Sequence, residues 1–317
     1  MNAKQSGLTM IEILVVLSIV ALLAGLLLPA VHTVQKMARE TKQKAQFTAI
    51  ELGLGTFKND YGDYPRSDWW KTAVDPALDI RYCGAQKLAE ALVGYDLLGF
   101  HPDSDWKAGA SEGVPPPVYT VAGSLEQRKS RYIDLDTANV FQLGRTPLND
   151  GLFVNTGGLA PFTYVLCDVF SVSGRKIVLS SGKTVSPGSP ILYYKANPAS
   201  KVFPDFNPIT KVTIPPPPTA LESYIYNARD NWPLLSLGKV ANGGAAVVVD
   251  PARNRHPLED FAYFYNYIRD PRVPLRLSAP GAGVGMGWPY RPDSYLLISA
   301  GTDGLYGTDD DIRSFGQ

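Results

Sequence analysis

The chain has 317 residues, 30 basic and 30 acidic side chains, and a formal net charge of zero, which argues against a nucleic-acid binder held by a broad basic surface. Its length suits a short anchor plus one large domain or two small ones. Charged residues make up only 19% while Gly (29), Pro (26) and Tyr (17) are plentiful, so a loop-rich, β-containing, extracytoplasmic domain fits better than a helical cytosolic enzyme.

The first element is "MNAKQSGLTMIEILVVLSIVALLAGLLLPAV". From Ile13 to Val31 there is no charge, and a helix of that length spans roughly 28 Å, close to the hydrocarbon thickness of a bilayer. A secretory signal cut near Leu28-Pro29-Ala30 would place a large Leu where a small residue is needed. A plain transmembrane anchor leaves Glu12 unexplained. The third reading places the cut before the apolar run, after Gly7.

Lys4 lies in a short basic leader, followed by Gly7, Leu8, Thr9, Met10, Ile11 and Glu12. This order resembles the class III signal of type IV pilins and type II secretion pseudopilins, with Leu8 in place of the usual Phe. Counted from Leu8, Glu12 is the fifth residue and Pro29 the twenty-second, as in that family. The resemblance implies that residues 1–7 are a leader removed by the prepilin peptidase and that the new amine of Leu8 is methylated. It implies a transmembrane or filament-core helix over 8–31, anchored in the inner membrane, with the C-terminal domain in the periplasm. The implied partners are the peptidase, other pilin or pseudopilin subunits in a homo-oligomeric filament, and an inner-membrane assembly platform. Glu12 of one subunit would then meet the N-terminal cation of a neighbour among apolar helices. Stranding one buried charge costs about 3–5 kcal/mol, so such a pair sets register more than it adds net adhesion. Lys36, Arg39, Lys42 and Lys44 follow the apolar run. The positive-inside rule would put that end in the cytoplasm, whereas the cleavage pattern puts it outside, and the cleavage pattern decides.

An amphipathic stalk helix follows over 32–64. Val31, Val34, Ala38, Ala45, Ala49 and Leu52 recur at helical steps, and Phe47, Ile50, Leu54 and Phe57 widen the stripe. Pro29 is expected to kink or locally melt the helix, and Gly53 and Gly55 to let a sheet approach. Gly62 and Pro65 should end it, and "FKNDYGDYPRSD" resembles the pseudopilin helix exit.

The globular part, 65–317, contains a large insert over about 66–290. "AQKLAEALVGYDLLGF" (85–100) reads as an amphipathic helix ending at Gly99. "FTYVLCDVF" (162–170), "RKIVLSS" (175–181), "PILYYKA" (190–196) and "AAVVVD" (245–250) read as strands, with a hairpin at "SSGKT" (180–184). "VPPPV" (114–118) and "IPPPPT" (214–219) are polyproline spacers or exposed loops. "APGAGVGMGWP" (279–289) is a flexible approach to the last strand, without the spacing of a nucleotide loop. The expected fold is α+β: a long N-terminal transmembrane and stalk helix packed on an antiparallel sheet, pilin-like, with a loop-rich insertion.

The chain ends "SYLLISAGTDGLYGTDDDIRSFGQ", a strand (294–299) followed by a glycine-turned acidic loop over 299–312. On chemistry alone a solvated acidic turn is the plainer reading, although hard oxygen ligands suit Ca2+. Ser299, Gly301, Asp303, Gly304, Asp310, Asp311 and Ile312 resemble the calcium loop of major pseudopilins. Carried over by position, that resemblance implies Ca2+ held by Asp303, Asp310 and Asp311 with the carbonyls of Ala300, Leu305 and Thr308.

Enzyme motifs are missing from the sequence, and no catalytic residue is assigned. His32, His101 and His256 read as surface or turn histidines, and "HPDSDW" (101–106) as a polar loop. Asp134 and Asp136 would share the solvated face of a strand. Trp69, Trp70, Trp106, Trp232 and Trp288 are core, interface or sugar-stacking candidates. Cys83 and Cys167 can form a disulfide or stay as buried thiols. The reading is a structural pseudopilin or pilin-like subunit contributing to protein secretion. The alternatives are a minor or tip subunit whose insert binds a polysaccharide or secreted protein, and a membrane-anchored enzyme.

Overall fold

The computed structural model describes residues 9–68, 82–104, 106, 119, 124–144, 150–171, 176–179, 182–207, 210, 212–213, 218–240, 255–277 and 284–316. The chain divides into two compact units, Met1–Gln43 and Lys44–Gln317. The division falls inside the first helix, α1 (Met10–Tyr61).

In the first unit α1 is helical throughout, including position 29, so the expected local melting does not occur. Proline removes a single amide donor, and the Leu- and Ala-rich turns around it have high helix propensity. Met10, Ile11, Leu14, Leu17 and Leu22 are all exposed, because this unit has nothing else to lay against them.

The second unit contains α2 (Gly84–Val93), α3 (Leu135–Ala138), α4 (Trp232–Leu235) and α5 (Phe261–Ile268). Its strands are β1 (Val140–Gln142), β2 (Tyr164–Leu166), β3 (Ile177–Val178), β4 (Thr184–Val185), β5 (Leu192–Lys195) and β6 (Asp205–Asn207). They continue with β7 (Val212–Thr213), β8 (Arg276–Leu277), β9 (Gly285–Met286), β10 (Tyr295–Ser299) and β11 (Ile312–Arg313). The sheets are β1-β2, β3-β4, β11-β10-β5 and β7-β6-β9-β8, every named pairing antiparallel. The fold is therefore α+β, an N-terminal helix followed by small antiparallel sheets, consistent with a pilin-like fold carrying a loop-rich insertion.

The sheet β11-β10-β5 organises this unit. Side chains alternate between the faces of a strand, and here both faces are covered. Tyr193, Tyr295, Leu297 and Ile312 join Phe47, Ile50 and Leu54 of α1 and Leu88, Ala89 and Leu92 of α2. Leu192, Tyr194, Leu296 and Ile298 join Phe264, Tyr265 and Ile268 of α5. Double burial explains why residues 295–298 run apolar without alternation. Gln46 fastens the α1 side, donating to the carbonyls of Thr137, Ala138 and Cys167 at 3.1, 3.2 and 2.9 Å.

Gly53 is tight against helix α2, not the sheet: a Cβ there would lie 3.1 Å from Leu92 Cδ2, whereas Gly55 faces open space. The helix ends as expected at Tyr61, where the Gly62 N–H donates to the Lys58 carbonyl at 2.7 Å with φ +84°.

Other expectations are corrected. Helix α2 stops at Val93, not Gly99, and all ten of its residues are buried, so its polar face is covered as well as its apolar one. Gly94 adopts φ +85° and turns the chain. The hairpin near 180–184 pairs 177–178 with 184–185, not with β5. Gly285 and Met286 form a strand between β6 and β8 where a flexible approach was expected. Asp134 is the N-cap of the short helix α3 and Asp136 lies in its first turn, so neither is on a strand. The proposed strand 245–250, the spacer 114–118, and Trp69 and Trp70 lie outside the described residues. Of "IPPPPT", residues 214–217 also lie outside, and Pro218 opens a 3-10 turn.

His101 and His256 are buried turn histidines, not surface ones. His256 Nδ1 accepts from the Tyr306 N–H at 3.2 Å, so it carries its proton on Nε2 and stays neutral. Burial pushes its pKa down to about 4 from 6.5. Protonation below pH 6.5 then favours the unfolded chain.

Replacing Leu54 with Ala is expected to cost about 2–5 kcal/mol in denaturant unfolding, while Leu52→Ala, at an exposed site, should stay within about 0.5 kcal/mol. Between pH 6.5 and 4 His256 disfavours the folded chain, while Asp168 and Asp311, raised to about 8 and about 7, favour it. The His256 contribution is therefore read as a difference: relative to wild type, the His256→Asn variant should gain stability as the pH drops through this window, as measured by thermal unfolding.

Candidate functional site

Thr9 and Glu12 stand at the start of α1. The Thr9 N–H and Oγ1 donate to Glu12 Oε2 at 2.7 and 2.8 Å, and the Glu12 N–H donates back to Thr9 Oγ1 at 3.4 Å. This is a reciprocal capping box, which satisfies first-turn amide donors that the helix cannot pair internally. The Thr-x-x-Glu spacing in the sequence signals this box. Both residues are exposed. Glu12 Oε1 makes no hydrogen bond among the described residues, so half of the carboxylate remains available to a partner. Gly7 and Leu8 lie outside the described residues, as does the side chain of Pro29.

The exposed apolar side chains on the turns after Glu12 give the segment a bare hydrophobic surface, which marks an interaction surface when contiguous. Among the described residues, no helix is long and apolar enough to cross a membrane.

At the other terminus, the loop between β10 and β11 turns on Gly301, Gly304 and Gly307, all at positive φ. A Cβ on Gly301 would lie 2.3 Å from the Asp310 carbonyl oxygen, so the turn needs glycine there. The loop is stitched by its own carboxylates. Asp310 Oδ2 accepts from the Thr302 N–H (2.7 Å), Thr302 Oγ1 (2.6 Å) and the Asp303 N–H (3.0 Å), and Oδ1 from Thr308 Oγ1 (2.7 Å). Asp311 Oδ2 accepts from the Gly307 N–H at 2.7 Å and the Tyr267 hydroxyl at 2.5 Å. Asp303 Oδ1 accepts from the Leu305 N–H at 2.7 Å. The carbonyls of Leu305 and Thr308 accept within the loop as well. Among the described residues, no group of three or more His, Cys, Asp or Glu side chains is placed to hold a metal ion.

Beneath this loop lies Asp168, which the sequence reading did not single out. It is fully buried, and burial pushes its pKa up to about 8. Its Oδ2 accepts from Ser299 Oγ at 2.9 Å, and Oδ1 from the N–H groups of Ser189 and Phe170. Two further buried charges lie in α2. Lys87 Nζ sits 3.0 Å from Asp68 Oδ1, and burial holds its pKa below the ordinary value despite that partner. Glu90 accepts from the Tyr119 hydroxyl at 2.9 Å, and burial pushes its pKa up. Nothing local in "QKLAEAL" signals that these charges turn inward, because their partners lie 19 and 29 residues away in sequence.

The remaining candidates form no reactive cluster. Cys83 and Cys167 are buried and free, and burial pushes the Cys83 thiol up to about 12. His101 Nδ1 accepts from the Asp103 N–H at 3.1 Å within its own turn. Trp106 is buried against Phe100 with ring centroids 4.9 Å apart, Trp288 packs against the larger core, and Trp232 is exposed.

The family model for the prokaryotic N-terminal methylation motif matches residues 2–28. No curated protein and no solved structure matches the chain. The motif implies processing by the prepilin peptidase and assembly with other pilin subunits, and it points to a structural, membrane-anchored filament subunit. The chain carries, at its N-terminus, the signal of type IV pilin-like and pseudopilin subunits.

Proposed function

We propose that the chain is a structural pseudopilin of a type II secretion or type IV pilus-like filament and contributes to protein secretion. It is made as a precursor, cut after Gly7 and methylated at Leu8. It is held in the inner membrane by residues 8–31 with its C-terminal domain in the periplasm, and assembled through its N-terminal helix. The observation that carries this reading is the methylation motif over 2–28. The uncovered apolar side chains of the first unit support it, since they need lipid or neighbouring helices. So does the geometry of Glu12, whose Oε2 caps its own helix while Oε1 is left to meet a neighbour's N-terminal cation.

Calcium is a separate proposal for the C-terminal loop. Asp303, Asp310 and Asp311, with the carbonyls of Ala300, Leu305 and Thr308, supply the hard oxygen ligands that Ca2+ takes. Three carboxylates on one short loop repel one another, and a cation would relieve that. Binding would require Asp310 and Asp311 to give up donors from Thr302, Gly307 and Tyr267.

Mass spectrometry of the mature protein should find methylated Leu8 at the N-terminus, and an intact leader or a cut near Ala30 refutes the reading. Glu12→Ala should abolish filament assembly. Glu12→Gln separates the two roles of the side chain: Gln can still close a capping box but carries no charge, so wild-type assembly by this variant would rule out the ion pair. Chelation should lower the melting temperature of the wild type and leave that of Asp310→Ala unchanged; an equal response in both rules out the calcium site.

A further inference from the structure

In the second unit a cleft of about 470 Å3 runs between α1 and the C-terminal residues that follow β11. Its lining includes Lys44, Arg272, Arg291 and Arg313 against Glu51 and Asp270, so cations outnumber carboxylates four to two. The carboxylates are already engaged inside the cleft. Arg291 Nη1 lies 2.7 Å from Glu51 Oε1, and Arg272 donates to Asp270 through Nε at 2.9 Å and Nη2 at 2.8 Å. Lys44 is exposed and forms no ion pair among the described residues. Arg313 lies over the rings of Tyr267 and Phe315, 4.9 and 5.4 Å from their centroids, which fixes the guanidinium at the cleft wall.

Carboxylates outside this lining carry the complementary charge. In the loop between β10 and β11, Asp310 and Asp311 are occupied by loop donors, while Asp309 is exposed and makes no hydrogen bond or ion pair among the described residues. Gly307, at φ +100°, turns the chain two residues before it. Asp309 does not line the cleft of its own chain.

We propose that this cleft receives the acidic turn around Asp309 of a second copy of the chain. The inference rests on the filament reading and deepens it, by naming a contact between globular units in addition to the one between helices. Two different patches, each complementary to the other, make a heterologous contact, the kind that propagates into an open helical array. A copy presenting the same patch would set like charges face to face, which is disfavoured. Lys44 places the cleft on α1, the element that the filament reading already assigns to assembly. Contacts of this type act on encounter and register more than on affinity.

The test uses the full chain, expressed with its assembly machinery. Lys44→Cys combined with Asp309→Cys should give, under mild oxidation, a covalent ladder beyond the dimer. Neither single variant should do so, and the buried thiols Cys83 and Cys167 give no background. Lys44→Glu and Asp309→Lys should each reduce recovered filament about tenfold, and the double charge swap should restore it to within about twofold. The melting temperature should stay unchanged in all of them, since both sites are exposed. No ladder, or a swap that fails to rescue, overturns the contact. If methylated Leu8 and the assembly defect of Glu12→Ala are found while the ladder is absent, only this contact fails. If those are missing as well, the filament reading fails with it.

Discussion

Burial of β10 and β5 on both faces is the constraint on which the second unit depends. A sheet covered on one side alone would carry polar residues on the other. Here Tyr193, Tyr295 and Leu297 need α1 and α2, and Leu192, Leu296 and Ile298 need α5. The positions of three helices follow from that demand. Burying a side chain of this size contributes about 1.5–3 kcal/mol, so removing one covering helix would expose several such terms together. Phe47, Ile50 and Leu54 are thus both the end of a long helix and half of a domain core.

The opposite condition holds before Gln43. The first unit has no layer to place against its apolar side chains, which are exposed along successive turns. Exposed apolar area on this scale does not persist in water without a partner. Lipid and neighbouring helices of the same kind are the two environments that cover it evenly on all sides, and a filament subunit passes from one to the other. A polar side chain within such a segment has to carry its own solution to desolvation. Glu12 does so in part through Thr9, whose N–H and hydroxyl donate to it.

What could be read from the sequence follows from how local its cause is. The exit of α1 at Tyr61-Gly62 was legible, because a positive-φ glycine and a following proline act within a few residues. Strand β10 was legible from an apolar run. The end of α2 was not, since Leu97, Leu98 and Phe100 continue the apolar count while Gly94 breaks the backbone. Nor were the inward-facing charges of that helix. Lys87 and Glu90 look like the solvated face of an amphipathic helix, and groups distant in sequence, Asp68 and Tyr119 among them, help make their burial tolerable. The capping box at Thr9 follows from the local Thr-x-x-Glu spacing.

The two termini use carboxylates in the same way and reach different ends. In the C-terminal loop both oxygens of Asp310 accept from nearby donors. At the N-terminus, among the described residues, one oxygen of Glu12 is taken. A new partner at the first site must displace existing bonds, whereas a partner at the second adds to them. Each bond to a carboxylate has a net worth of about 1.5–3 kcal/mol, which a new partner has to replace. Adding a cation to an oxygen about to lose its water removes a desolvation penalty of several kcal/mol. On that difference the proposed filament contact gains more at Glu12 than at Asp310. The unengaged Asp309, not its satisfied neighbours, is where the loop is open to another molecule.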